Sequence, residues 1–186
     1  MLEKIRAIFF PGLLRKTIAN QSRKRKAHTI ASAQTVGILF DASEEKDRLD
    51  ILHFEEKLKE VLPRKRVRLL GYVDNEHTLG QTLFPQFTPK DLRWNGKPAG
   101  DAIDAFLKED IDLLICLNTR DIPAMAWVAA AIRAAMKIGT QTKLQHDFDM
   151  ILETPPEKGV PFFVEQLEFY LNKIIPAQHY ATTSAP

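Results

Sequence analysis

The run Val36-Gly37-Ile38-Leu39-Phe40 constrains this chain more than any other stretch. It is short, continuous and uncharged, as a strand buried on both faces should be. Asp41 ends it. A helical stripe of Ile51, Phe54, Leu58, Val61 and Leu62 follows, closed by Pro63. The same alternation then recurs. Val67–Val73 reads as a second strand and Ile111–Leu117 as a third. Lys137–Thr140 and Phe148–Leu152 read as a fourth and fifth. Strands alternating with helices imply parallel pairing, because each crossover places a helix on a face of the sheet. The expected fold is therefore α/β, a three-layer, mostly parallel sheet of about five strands of the flavodoxin- or Rossmann-like kind, ordered 2-1-3-4-5.

Between the second and third strands the period is lost. Residues 74–99 hold Pro85, Pro89 and Pro98 with Phe84, Phe87 and Trp94. They read as a long ordered excursion with a turn at Asn95-Gly96. A short helix is expected over Ala99–Lys108. The run Ile122–Ile132, started by Asp121 and Pro123, is apolar almost throughout and reads as a buried helix. Phe163, Leu167, Tyr170, Leu171 and Ile174 stripe a last helix before Pro176.

The N-terminus is of another kind. Residues 1–28 hold Lys4, Arg6, Arg15, Lys16, Arg23, Lys24, Arg25 and Lys26 against Glu3, a net +7, which leaves −5 on the rest of a chain whose total is +2. Residues 1–10 predict a short amphipathic helix with Ile5, Phe9 and Phe10 on its apolar side, ended by Pro11-Gly12. Three regions are expected: a basic amphipathic arm and linker over 1–34, an α/β domain over 35–176 that folds without the arm, and a frayed tail over 177–186. With 45% hydrophobic and 27% charged residues, the chain can bury a core of its own. No run reaches the roughly 18–20 apolar residues of a membrane span, and the N-terminus does not read as a secretory signal. The one cysteine, Cys116, permits no internal disulfide, which fits a reducing, cytoplasmic setting.

Sites in such sheets lie beyond the carboxyl ends of the strands. The loop after strand one, Asp41 to Glu45, has three acids and no glycine, a poor cradle for phosphate. Neither a GxGxxG nor a GxxxxGK[ST] pattern occurs, so no nucleotide cofactor is expected. Asn118, Thr119 and Arg120 precede a helix start and are the better candidates for holding an anion or small ligand, with Asp41 nearby. Trp94 could stack on a ring or lock the excursion in place. Asp74, Glu76 and His77 cluster without a second histidine or a cysteine at ligand spacing, so no metal site is expected. His146-Asp147 has no nucleophile beside it.

Two resemblances add to this. The segments Thr35–Asp41, Arg66–Asp74, Asp91–Pro98, Asp110–Asn118, Ala134–Gln141 and Phe148–Glu153, in this order, resemble a family of short uncharacterised bacterial α/β proteins with a basic N-terminus and a Trp-x-Gly element, here Trp94 and Gly96. More locally, Asp112–Ile115 through Lys137–Gly139 is similar to the N-terminal half of heptosyltransferase-like glycosyltransferases, whose nucleotide-sugar-binding half has no counterpart here. The expected function is a non-catalytic binding or adaptor protein. Its arm, through Arg15, Lys16, Arg23, Lys24, Arg25 and Lys26 and the apolar Ile5, Phe9 and Phe10, would dock on an anionic membrane, on RNA or in a protein groove. The setting would be cytoplasmic, at the inner face of the membrane. The alternative is an enzyme with its site near Asp41 and Asn118–Arg120.

Overall fold

Among the described residues every strand of the sheet pairs in parallel. The computed structural model describes residues 1–61, 63–74, 83–118 and 120–174. Six strands, β1 (Thr35–Asp41), β2 (Arg66–Tyr72), β3 (Gln86–Phe87), β4 (Ile111–Leu117), β5 (Ala134–Thr140) and β6 (Met150–Leu152), form one sheet in the order β3-β2-β1-β4-β5-β6. All its pairs are parallel. The five expected strands are β2-β1-β4-β5-β6, in the expected order. β3 is the addition: two residues of the Pro-rich excursion pair with Gly71 and Tyr72. Just after it, Thr88 and Asp91 close a capping box around Pro89–Asp91. The expected turn at Asn95-Gly96 is present, with Gly96 at φ +83° and Leu92 bridged antiparallel to Pro98.

The helices are α1 (Leu2–Ala19), α2 (Glu45–Val61), α3 (Asp101–Leu107), α4 (Pro123–Ala131) and α5 (Gly159–Leu171). They cover both faces of the sheet. On one face Ile51, Phe54 and Leu58 of α2 pack with Val160, Phe163, Leu167 and Leu171 of α5 against Ile38, Phe40 and Ile115. On the other, α3 and α4 pack with Phe10 and Leu14 of α1 against Leu39, Leu70, Leu114 and Cys116. α4 starts with Pro at its first turn and buries Met125, Trp127, Val128 and three alanines, as its unbroken apolar sequence requires.

The N-terminal helix departs from expectation in two ways. It runs through Pro11-Gly12 to Ala19, and it belongs to the core. An interior proline costs a helix about 3 kcal/mol. Phe10 and Leu14 lie one turn apart on either side of the break, 6% and 2% exposed. Each contributes on the order of 1.5–3 kcal/mol on burial, so their packing on α4 offsets the break. Phe10 is thus a core residue and not part of an exposed docking face.

The linker that follows is strapped across the sheet. Gln21 Nε2 donates to the carbonyls of Ala130, Ala131 and Ile132, at 2.8, 2.9 and 3.1 Å, at the end of α4. Lys26 N–H donates to Ala135 at 3.1 Å. His28 and Ala33 are buried. These contacts give residues 1–34 a part in the core that the division into arm and domain did not anticipate.

Candidate functional site

The sheet order reverses between β1 and β4, and the carboxyl ends of these strands place Asp41 and Asn118 at the crevice there. Arg120 closes it. Its Nε donates to Asp41 Oδ2 at 2.8 Å, one Nη to Asp74 at 2.7 Å and the other to Ser43 Oγ at 3.0 Å. Ser43 Oγ in turn donates to Asp41 at 2.6 Å. Tyr72 O–H donates to the other Asp74 oxygen at 3.2 Å. Asn118 Nδ2 donates to the Arg120 carbonyl at 2.7 Å, and Asn118 Oδ1 accepts from Thr140 Oγ1 at 2.8 Å. The charges reinforce one another. The bond to Asp41 raises the Arg120 pKa further above its ordinary value. The Arg120 bond lowers that of Asp74. Burial, with Asp74 beside it, pushes the Tyr72 hydroxyl up to about 12.

This cluster differs from the anion cradle expected at Asn118–Arg120. Two carboxylates answer the Arg120 guanidinium, which is already engaged on three sides. Thr119, Glu76, His77 and the tail 177–186 lie outside the described residues. Among the described residues no group of three or more His, Cys, Asp or Glu is placed to hold a metal ion. Cys116 is buried, and burial pushes its thiol up to about 12, far from a reactive thiolate.

The second arrangement joins α1 to the Trp94 turn. Phe9 meets Trp94 edge-on, ring centroids 5.4 Å apart. Arg6 Nε and Nη2 donate to the carbonyls of Arg93 and Leu92 at 3.2 and 2.8 Å. Gly96 lies under the helix, where a Cβ would stand 3.2 Å from the Phe10 ring. The outer side of α1 is left apolar in its first half: Leu2, Ile5, Ile8 (72% exposed) and Phe9 (51%), continued by Trp94 (60%). Its second half is basic, with Arg15 and Lys16 exposed. Among the described residues Lys4, Arg15, Lys16, Lys24 and Lys26 have no carboxylate partner, and Arg25 has a 3.5 Å contact to Asp149. Of the expected docking residues, Ile5 and Phe9 lie on the outer side of α1, and Trp94, expected instead among the ligand-binding candidates, joins them through Phe9. Sequence reasoning treated Trp94 separately, because nothing local links it to α1.

Arg23 is a further correction. Its side chain is 4% exposed and belongs to no free basic arm. It bonds both Asp149 oxygens at 2.8 and 3.0 Å, Asp147 at 3.3 Å and the Ala134 and Ala135 carbonyls. Asp147 also receives Lys137 Nζ, itself wholly buried, at 2.9 Å. Lys137 bonds the Ala129 and Ala130 carbonyls too. Burial lowers its pKa, with Asp147 opposing. Two buried cations and two acids thus pin the strap to β5.

The fold and these sites define an all-parallel, three-layer α/β protein with an integrated basic N-terminal helix. The chain belongs to a family of unknown function, DUF6913, whose model matches residues 8–174, from within α1 to just beyond α5. No curated protein and no solved structure matches it. The likeness to heptosyltransferase half-domains therefore gains no support.

Proposed function

We propose that this protein is a non-catalytic binding protein that docks on an anionic lipid surface through the outer side of α1 and the Trp94 turn. The observation that carries this is the joint exposure of Ile5, Ile8, Phe9 and Trp94 beside the exposed Arg15 and Lys16 of the same helix, which have no carboxylate partner among the described residues. Contact with phosphates alone needs the cations and leaves the four apolar side chains in water. A lipid interface accepts both. Each cation near an anionic membrane contributes about 1 kcal/mol, and each buried aromatic roughly 1.5–3 kcal/mol. Stable peripheral binding takes two such signals together. Among the described residues no helix is long and apolar enough to cross a membrane, so the attachment is superficial. In this reading the protein works at the cytoplasmic face of a bacterial membrane, as an adaptor. The enzyme reading is the weaker one, because Arg120 is held by Asp41 and Asp74.

The test is co-sedimentation of the full chain with phosphatidylglycerol vesicles, phosphatidylcholine vesicles and single-stranded RNA over a salt series. Binding to the anionic vesicles that persists in part at high salt supports the proposal. Binding to RNA alone, or to neither vesicle type, overturns it.

A further inference from the structure

The inner side of α1 does something different from its outer side. Between α1 and the carboxyl end of the sheet lies a cavity of about 330 Å³. Its walls are Phe10 and Pro11 of α1, Leu92 of the excursion, Ile122 and Pro123 at the start of α4, and Leu144 after β5. Pockets for small ligands run from about 300 to 1,000 Å³, are mostly apolar and sit in this part of an α/β fold. The polar side chains in the lining are few. Tyr72 already donates its hydroxyl to Asp74. Glu3 is exposed, and Arg6 is half-buried. A sugar or nucleotide needs hydrogen-bond partners on several sides, which this lining lacks. An apolar chain needs none.

Arg6 supplies the other half of the recognition. Two of its nitrogens are fixed by the Leu92 and Arg93 carbonyls. Its Nη1 has no hydrogen-bond partner among the described residues, and no carboxylate pairs with it. The guanidinium is therefore held in place with its charge unanswered, which favours an oxyanion. Glu3 opposes this charge, but it is the more exposed of the two and is better screened.

We propose that the cavity binds a single-chain amphiphile, its apolar chain lying against Phe10, Leu92, Ile122 and Leu144 and its anionic head, a carboxylate or a phosphate monoester, meeting Arg6. The inference goes beyond membrane docking and does not depend on it, since the cavity lies on the opposite side of α1 from the exposed strip.

The experiment is calorimetric titration of the full chain, without vesicles, with decanoate, decyl phosphate and neutral 1-decanol, all below aggregation. The expected result is saturable equimolar binding of decanoate or decyl phosphate, the tighter of the two identifying the head. 1-Decanol should bind about tenfold or more weakly, the loss of one charge-assisted hydrogen bond. Arg6→Gln should erase that difference, and Arg6→Lys should restore part of it. Ala7→Trp, placed on an exposed lining position to fill the cavity, should abolish binding of all three. Circular dichroism checks that each variant is folded, and the Arg6 pair decides the matter if Ala7→Trp is not. No saturable binding of either anion, equal affinity for decanol and decanoate, or a folded Ala7→Trp that still binds would each overturn the proposal.

Discussion

Phe9 and Phe10 are neighbours in sequence and opposites in the structure: Phe9 lies edge-on to Trp94 and half exposed, while Phe10 is packed in the core. A helix turns about 100° per residue, and that step carries the chain from the outer side of α1 to the inner. Edge-on aromatic pairing contributes about 0.5–1.5 kcal/mol, so Phe9 and Trp94 hold each other in place without being buried. Gly96, at φ +83°, lets the turn come this close to the helix.

Single substitutions separate these two roles. Phe10→Ser should destabilise the protein by about 3–5 kcal/mol, as large-to-small changes in a core do, and should lower the thermal midpoint sharply. Phe9→Ser should leave the midpoint within a few degrees, about 1 kcal/mol or less, and weaken vesicle binding several-fold. Differential scanning calorimetry beside vesicle co-sedimentation reads both. If both variants unfold alike, α1 has no free outer side.

The basic run 23–26 should split in the same way. Arg23→Ala removes one member of a buried ion network, a loss of about 3–5 kcal/mol, or on the order of 10 °C for a chain of this length. Lys24→Ala with Lys26→Ala should leave stability unchanged and reduce binding to anionic vesicles at low salt. A stable Arg23→Ala variant would mean that the strap is not anchored through Asp147 and Asp149.

Acidification should loosen the strap at His28. Burial lowers the pKa of His28 from its ordinary 6.5, with Asp112 opposing and Lys26 and Lys65 adding to the effect. The folded state therefore binds the proton less readily than the unfolded one. Stability is complete above about pH 6.5 and falls as the pH drops through the lowered folded value. Asp74, lowered by Arg120, keeps its contribution above its ordinary 3.8 and loses it further down. Hydrogen-exchange protection at residues 26–34, taken relative to the intrinsic rate at each pH, should fall below pH 6.5, and that fall should flatten in His28→Gln. An unchanged slope in that variant assigns the loosening to another group.

Much of the fold is legible in the sequence, because the informative residues are in β1 and β4, where both faces are buried and the apolar runs are nearly unbroken. Chain order and right-handed crossovers then leave few sheets to choose from. What is not legible depends on contacts distant in sequence. β3 is two residues long and lies between prolines. α1 passes its own proline because Phe10 and Leu14 find α4. In the run Arg23-Lys24-Arg25-Lys26 nothing local marks Arg23 as buried; its partners Asp147 and Asp149 are brought to it by β5 and the loop after it. Asp41 and Arg120 stand out in the sequence as candidates, but the meeting of Arg120 with two carboxylates depends on β1 and β2 ending side by side.

The central claim is that the outer side of α1 and the Trp94 turn enter a lipid interface, and Trp94 reports on this directly. The chain's other tryptophan, Trp127, is buried. On addition of phosphatidylglycerol vesicles, the fluorescence of the full chain should shift to the blue and become shielded from acrylamide, and Trp94→Phe should lose the shift while still binding. Co-sedimentation with no change in the emission or quenching of Trp94 would contradict the claim, leaving a purely electrostatic contact by the lysines and arginines.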